Sequence, residues 1–465
     1  MTVPTAMHPG RPRRVLIANR GAVAARVLRA LRTLGIESVA VFSDADRDLP
    51  YLADADHAVH IGPAPARLSY LDQERLIQAA LETGADAIHP GYGFLSENAG
   101  FAERVAAAGF HFIGPSPRWI RALGHKTQAR ALMADCGMPQ APSSPVLPDE
   151  PEQVAAAARA IGFPVLVKPA GGGGGIGMLP AHDEAELAAA WIKARSISQK
   201  SFATAELYLE KLISAPRHIE FQVLADRYGG VRILFERDCS VQRRHQKVIE
   251  EARAPGIESA ATERMSRLLA DLLAGLGYDV IGTVEMLYTA QTGFVFLEMN
   301  TRLQVEHAVT EEVTGIDIVA SQIRLASGER IADVLPQPIT AQGHAIEARI
   351  YAEDPVRFLP SAGRLESFVL PSGPGVRIET GYRQGAVVTP HYDPMIAKVI
   401  ASAPDRPQAI RRLHQALSAC DIQGVRTNIP FILKVLDSDD FNDGRIDTGL
   451  TQRLLARTTE QREPA

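Results

Sequence analysis

Residues Phe294 to His307 read FVFLEMNTRLQVEH. Phe294, Val295, Phe296 and Leu297 form a short apolar, partly β-branched run, which predicts a strand. Beyond it every second residue is polar: Glu298, Asn300, Arg302, Gln304 and Glu306, with Met299, Leu303 and Val305 between. Extended backbone would place all five polar groups on one face. A solvated strand face is the ordinary reading of such alternation, but two carboxylates, two amides and a guanidinium crowded at a strand end suit chemistry better. Hard cations such as Mg²⁺ take carboxylate and amide oxygens, commonly alongside phosphates, and an arginine fork suits a planar anion.

Glu285 lies in a second apolar run, IGTVEMLY, and Gln291-Thr292-Gly293 reads as a turn between the two. Adjacent antiparallel strands would bring Glu285 to Glu298, a common way to hold Mg²⁺ against a nucleotide. Composition leaves a metal pair and a structural ion pair equally open.

The chain has 465 residues, long enough for about three domains. Hydrophobic content of 46% and charged content of 22% are those of a globular protein. A net charge of -5 gives no nucleic-acid footprint. Cys136, Cys239 and Cys420 are far apart and follow neither a metal spacing nor a disulfide framework. No apolar run approaches a membrane span, and the head MTVPTAMHPGRPRR lacks the apolar core of a signal peptide. The expectation is a cytoplasmic protein with no membrane or nucleic-acid partner.

Short strands at 15–18, 38–42, 58–61, 87–89 and 111–113 alternate with helical stretches after Gly21 and at 71–83 and 99–108, which predicts a doubly wound parallel sheet. The first turn, Asn19-Arg20-Gly21, lacks the dinucleotide glycine pattern, and Gly124-His125-Lys126-Thr127 misses a P-loop. A helix at 126–136, a Pro- and Ser-rich hinge and a helix at 151–161 lead into the strand FPVLVKP. Gly171 to Gly175 and then MLPA follow, reading as a hairpin flap whose backbone amides cover phosphates. The strand RHIEFQVLA follows, with its polar residues read as ordinary sheet residues. Next comes a basic cluster, Arg237 and QRRHQK (242–247), with Glu250-Glu251 after it. Such clusters are usually solvated, but its place between flap and carboxylates gives an anion site at least equal weight. Helices at 261–277, 315–327 and 407–419, a tail helix near 451–456 and further alternating strands complete the reading.

In combination LIANRG, HPGYGFLSEN, KPAGGGGG, RDCSVQRRHQKVIEE, EMNTRLQVEH and GHAIEARIYAEDP are specific. From about Val15 to Leu455 the chain resembles the biotin carboxylase component of biotin-dependent carboxylases, in the ATP-grasp superfamily. The resemblance implies an α/β ATP-grasp fold in three parts. These are an N-terminal doubly wound domain (13–123), an ATP-grasp domain (124–330) with a mobile lid at about 140–212, and a C-terminal α+β domain (343–457).

It also implies a reaction: ATP and bicarbonate give carboxyphosphate, whose CO2 passes to N1′ of biotin. Carried over by position, Lys126, Lys168, Gly174, Gly175, Glu210, Lys211, Ile213, His218, Gln242 and His245 would hold ATP. Glu285, Glu298 and Asn300 would bind two Mg²⁺ or Mn²⁺. Lys247, Arg302, Gln304 and the Val305 backbone would hold bicarbonate. Glu306 would be its base, with a low pKa beside an arginine, and Arg349 would stabilise the biotin enolate. The implied partners are a biotin carboxyl carrier protein, a carboxyltransferase subunit and a second copy in a homodimer. No Met-Lys pair occurs, so biotin would sit on a separate protein.

The chain departs from the common pattern at Ala22 and Val23 (Glu-Ile in the family), His125 (Asp), Ile176 (Arg), and Arg253 and Ala308 (both Pro). At Ile176 a lid side-chain contact to phosphate is replaced by backbone amides alone. The GGGGIGM loop and GYRQGAVVTPHYDPMIAKVI lean toward the urea-carboxylase branch, so acetyl-CoA, another acyl-CoA and a urea-like acceptor all stay open. Two further readings compete: another ATP-grasp ligase with an amine acceptor, and a non-catalytic paralogue within a carboxylase complex.

Overall fold

The protein is described here by a computed structural model covering residues 10–171, 175–202 and 205–460. The apolar segment β1 (Arg14–Ile17) leads into α1 (Gly21–Leu34), which ends on Gly35 in the left-handed conformation, φ 65°. β2 (Glu37–Ser43), β3 (His57–Gly62), α2 (Gln73–Thr83), β4 (Ala87–His89), α3 (Ala99–Ala107) and β5 (His111–Phe112) follow. Asp72 and Asn98 cap α2 and α3 with side-chain oxygens. The strands pair in parallel in the order β3-β2-β1-β4-β5, as the alternation predicted.

Two helices, α4 (Pro117–Gly124) and α5 (Lys126–Asp135), carry the chain out of this domain. α6 (Pro151–Ile161), β6 (Val165–Pro169), β7 (Leu179–Ala181), α7 (Glu184–Phe202) and β8 (Leu207–Lys211) build a small lid. Its antiparallel sheet runs β7-β6-β8. A separate core of Val154, Val165, Val167, Leu187, Trp191, Leu207 and Leu209 holds it together. Val165 opposite Ala181 makes the expected flap hairpin; α7 has no counterpart in the sequence reading.

β9 (Arg217–Ala225), β10 (Val231–Arg243), β11 (Gln246–Ala252), α8 (Ser259–Leu276), β12 (Val280–Thr289), β13 (Gly293–Asn300), α9 (His307–Thr314), α10 (Ile318–Ala326) and β14 (His344–Tyr351) come next. They form one antiparallel sheet, β13-β12-β9-β10-β11-β14, which continues into the strands Met395–Ala403 and Val376–Thr380. This sheet is continuous across the break expected between 330 and 343. The helix expected at 315–327 is α10, started by Asp317 capping Ala320 N–H, and it is preceded by a further helix, α9, which Gly315 (φ 69°) stops.

The segment 237–247 is the end of β10, a two-residue turn and the start of β11, buried through Arg243 and exposed at Arg244, His245 and Gln246. Arg237 is fully buried and bonded to Glu220, Gln222 and Thr310. Arg244 and His245 form the turn with φ 49° and 66°. Positive φ at both central residues is the geometry whose twist matches a hairpin.

Candidate active site

Glu285 and Glu298 lie directly opposite one another on β12 and β13, as the sequence predicted. A register shift between Glu285 and Met286 leaves Leu297 as the extra residue. The extended run expected through Glu306 stops at Asn300. From Thr301 the chain turns, and Glu306 has φ -85° and ψ 15° at the head of α9. Three of the five polar side chains, Asn300, Arg302 and Gln304, are tied together with Glu285, while Glu306 joins them through Lys247. Asn300 Nδ2 and Gln304 Nε2 donate to Glu285 Oε1 at 2.8 and 3.0 Å. Arg302 donates to Asn300 Oδ1 at 3.1 Å and to Gln304 Oε1 at 2.6 Å.

Lys247 is the hub. Its ammonium donates to Glu220 at 2.7 Å, Glu285 at 2.8 Å and Glu306 at 2.7 Å. Burial lowers its pKa, but the three carboxylates outweigh burial and raise it well above the usual lysine value. The converse holds at Glu306. Burial raises its pKa, and Lys247, Arg349 and Arg237 overcome this and hold it well below the carboxylate range. Arg349 Nη2 donates to Glu306 Oε2 at 2.8 Å. Glu306 is therefore an ionised, fully buried carboxylate gripped by two cations.

The expected nucleotide residues line the facing wall. Lys168 on β6 donates to Glu210 on β8 at 3.0 Å, and both are buried. Burial raises the Glu210 pKa, yet Lys168 and Arg130 bring it below the usual value. Lys126, at the start of α5, lies 3.7 Å from Glu298, whose side chain is 30% exposed. His218 Nε2 is 3.0 Å from Glu285, and Gln242 Nε2 donates to His218 Nδ1 at 3.0 Å. Gly175 (φ +70°) packs on His245 so closely that an added Cβ would sit 2.6 Å from its Cβ. Lys211 donates to the Gly162 and Phe163 carbonyls at 2.9 and 2.8 Å, and its backbone N–H to the Pro142 carbonyl at 2.8 Å. Ile213 is half-buried just past β8, and Gly174 lies outside the described residues. Lys398 reaches from the strand Met395–Ala403 to donate to the Val305 carbonyl.

Three of these participants, Glu97, Glu220 and Lys398, had no role in the sequence reading. Glu97 accepts from Arg302 Nε at 2.9 Å and from Thr301 N–H at 3.3 Å; its signal was its place in HPGYGFLSEN. Glu220 looked like an ordinary sheet residue, and nothing local marked Lys398; Arg237, read as part of a basic cluster open to an anion, is instead bonded to Glu220.

Family models match nearly end to end. The biotin carboxylase N-terminal domain model covers residues 11–120, the ATP-binding domain of carbamoyl-phosphate synthase L chain covers 125–334, and the biotin carboxylase C-terminal domain covers 347–453. This chain belongs to the biotin carboxylase family. It is 48% identical to the biotin carboxylase of Allochromatium vinosum, over 95% of this chain and 98% of that one. It is 46% identical to the mitochondrial methylcrotonoyl-CoA carboxylase subunit alpha of Rattus norvegicus, over 94% of this chain and 61% of that subunit. The biotin carboxylase domain dimer of Hydrogenobacter thermophilus 2-oxoglutarate carboxylase superposes with a TM-score of 0.92 at 41% identity, covering 96% of this chain and 99% of that one. Campylobacter jejuni biotin carboxylase matches with the same TM-score and identity over 95% and 99%. Membership in the biotin carboxylase family makes the chain an ATP-grasp ligase.

Proposed function

We propose that this chain carboxylates biotin on a separate carrier protein, using ATP and bicarbonate, as the first half-reaction of a biotin-dependent carboxylase. The observation that carries the reading is Glu306: a buried, ionised carboxylate held by Lys247 and Arg349, a few residues from the Arg302 fork. The Hydrogenobacter domain structure contains MgADP and bicarbonate, the ligand set these residues would take.

Lys126, Lys168, Gly174, Gly175, Glu210, Lys211, Ile213, His218, Gln242 and His245 would surround ATP, with the lid (about 140–212) excluding water. Glu285, Glu298 and Asn300 fit a divalent cation. They are oxygen donors on neighbouring strands, and Glu285 already holds one positive charge, the Lys247 ammonium, at 2.8 Å. When bound, Mg²⁺ or Mn²⁺ supplies neutralisation of the triphosphate charge. Lys247, Arg302, Gln304 and the Val305 amide would hold bicarbonate, whose proton passes to Glu306 as its oxygen takes the γ-phosphoryl group. Carboxyphosphate then breaks into CO2 and phosphate, CO2 bonds to biotin N1′ as the N1′ proton passes to the phosphate, and Arg349 offsets the negative charge on the biotin enolate. The division at 13–123, 124–330 and 343–457 follows these roles. The complex would include a biotin carboxyl carrier, a carboxyltransferase subunit and a second copy of this chain.

Phosphate release from ATP and Mg²⁺ should require bicarbonate and rise with free biotin. Release that biotin does not stimulate would favour another ATP-grasp ligase, and no release at all a non-catalytic paralogue.

A further inference from the structure

The mechanism leaves one acid beside the site without a task. Glu250 lies on β11 and is 0% exposed. Its Oε1 is 2.5 Å from Arg349 Nε, while Arg349 Nη2 serves Glu306 Oε2 at 2.8 Å. The contact is an ion pair outside hydrogen-bond geometry, and no hydrogen-bond partner reaches the Glu250 oxygens among the described residues. Glu347, in register opposite Glu250, is paired with Lys398 at 3.4 Å. Burying a carboxyl with a single partner costs free energy, and a long arginine has several rotamers to choose from.

We propose that Glu250 is a positioning residue: it holds the Nε corner of Arg349 so that Nη2 stays on Glu306 and the far end of the guanidinium faces biotin. This rests on the assignment of Arg349 to the biotin step. Burial raises the Glu250 pKa, Arg349 and Lys247 lower it and Glu306 and Glu347 raise it, leaving it near 8. A neutral amide therefore stands in well for it.

The test compares Glu250→Gln, which keeps an acceptor, with Glu250→Met, which keeps the volume without one. Glu250→Asp, which withdraws the acceptor by one methylene, replaces Met if that variant does not fold. ATP hydrolysis is measured with bicarbonate, with and without free biotin. The expectation for Met, or for Asp, is a loss of roughly 10- to 100-fold in biotin-dependent turnover. The KM for ATP and the biotin-independent rate should stay within about 3-fold, and Gln should restore turnover to within about 3-fold of the parent. Undiminished biotin-dependent turnover in the Met or Asp variant, equal loss of both rates, or a Gln variant as impaired as Met overturns the role. A parent enzyme that ignores biotin instead defeats the proposed function, and this inference with it.

Discussion

Arg302 shows how much one side chain carries at this site. Its guanidinium ties Glu97 of the N-terminal domain to Asn300 and Gln304. Burial would lower its pKa, but Glu97 raises it above even the ordinary arginine value, so its charge is permanent. Arg302→Ala should remove the bicarbonate fork and lower turnover about 10²- to 10³-fold, comparable to losing an oxyanion donor. The KM for ATP should change little, because no expected nucleotide residue bonds to Arg302. Steady-state kinetics with nucleotide titration decides it, and unaltered turnover would remove Arg302 from the bicarbonate site. Period two singled out Glu298, Asn300, Arg302, Gln304 and Glu306 as a polar set. The actual geometry was not legible, because extended backbone ends at Asn300 and side-chain bonds take over.

Among the elements, the β10–β11 hairpin was the hardest to see. QRRHQK contains no Asn or Gly, the residues that usually accept positive φ at both turn positions, yet Arg244 and His245 adopt it. This turn lifts His245 under the lid, where Gly175 rests. Gly175→Ala adds a Cβ at φ +70° and 2.6 Å from His245 Cβ. The left-handed backbone alone costs about 1–2 kcal/mol. The KM for ATP should therefore rise roughly 5- to 30-fold, with kcat less affected. An unchanged KM would show that the lid does not need this contact. The long helix α7 went unread because alanines and Ile192 on its exposed face blur the contrast with the few residues that face its small separate core.

Across the whole molecule, buried ionisable groups set the pH dependence of stability. Glu251, opposed by burial but paired with His344 and Arg406, and Glu311, paired with Arg26, His307 and Arg377, are depressed to about 2. Their contribution is complete above the ordinary value of 4.5 and is lost as pH falls toward 2. His89 and His307 are held neutral by burial, near 3, which costs stability as pH falls below 6.5. Glu347 and Glu250, raised by burial to about 7 and 8, act oppositely: their contribution is full below 4.5 and is lost as pH rises through those values. Between about 4.5 and 6.5 the two histidines and the two raised glutamates offset each other. The expected profile of Tm is a plateau there, a steep fall on the acid side and a shallower decline toward pH 8. Glu347→Gln should flatten that decline. A Tm that climbs steadily from pH 5 to 8 would refute the balance.

The parallel N-terminal sheet with its alternating helices, the flap hairpin and the Glu285–Glu298 pairing were all determined by the amino-acid sequence, because each rests on local period or on neighbouring strands. Tertiary structure alone decided the charge assembly. Lys247 gathers carboxylates 27, 38 and 59 residues away, Arg302 finds Glu97 across 205, and Lys398 reaches Val305 across 93. Such pairings leave no periodic trace, since they exist only once the eight-stranded sheet has removed these groups from water and left each other as their remaining partners.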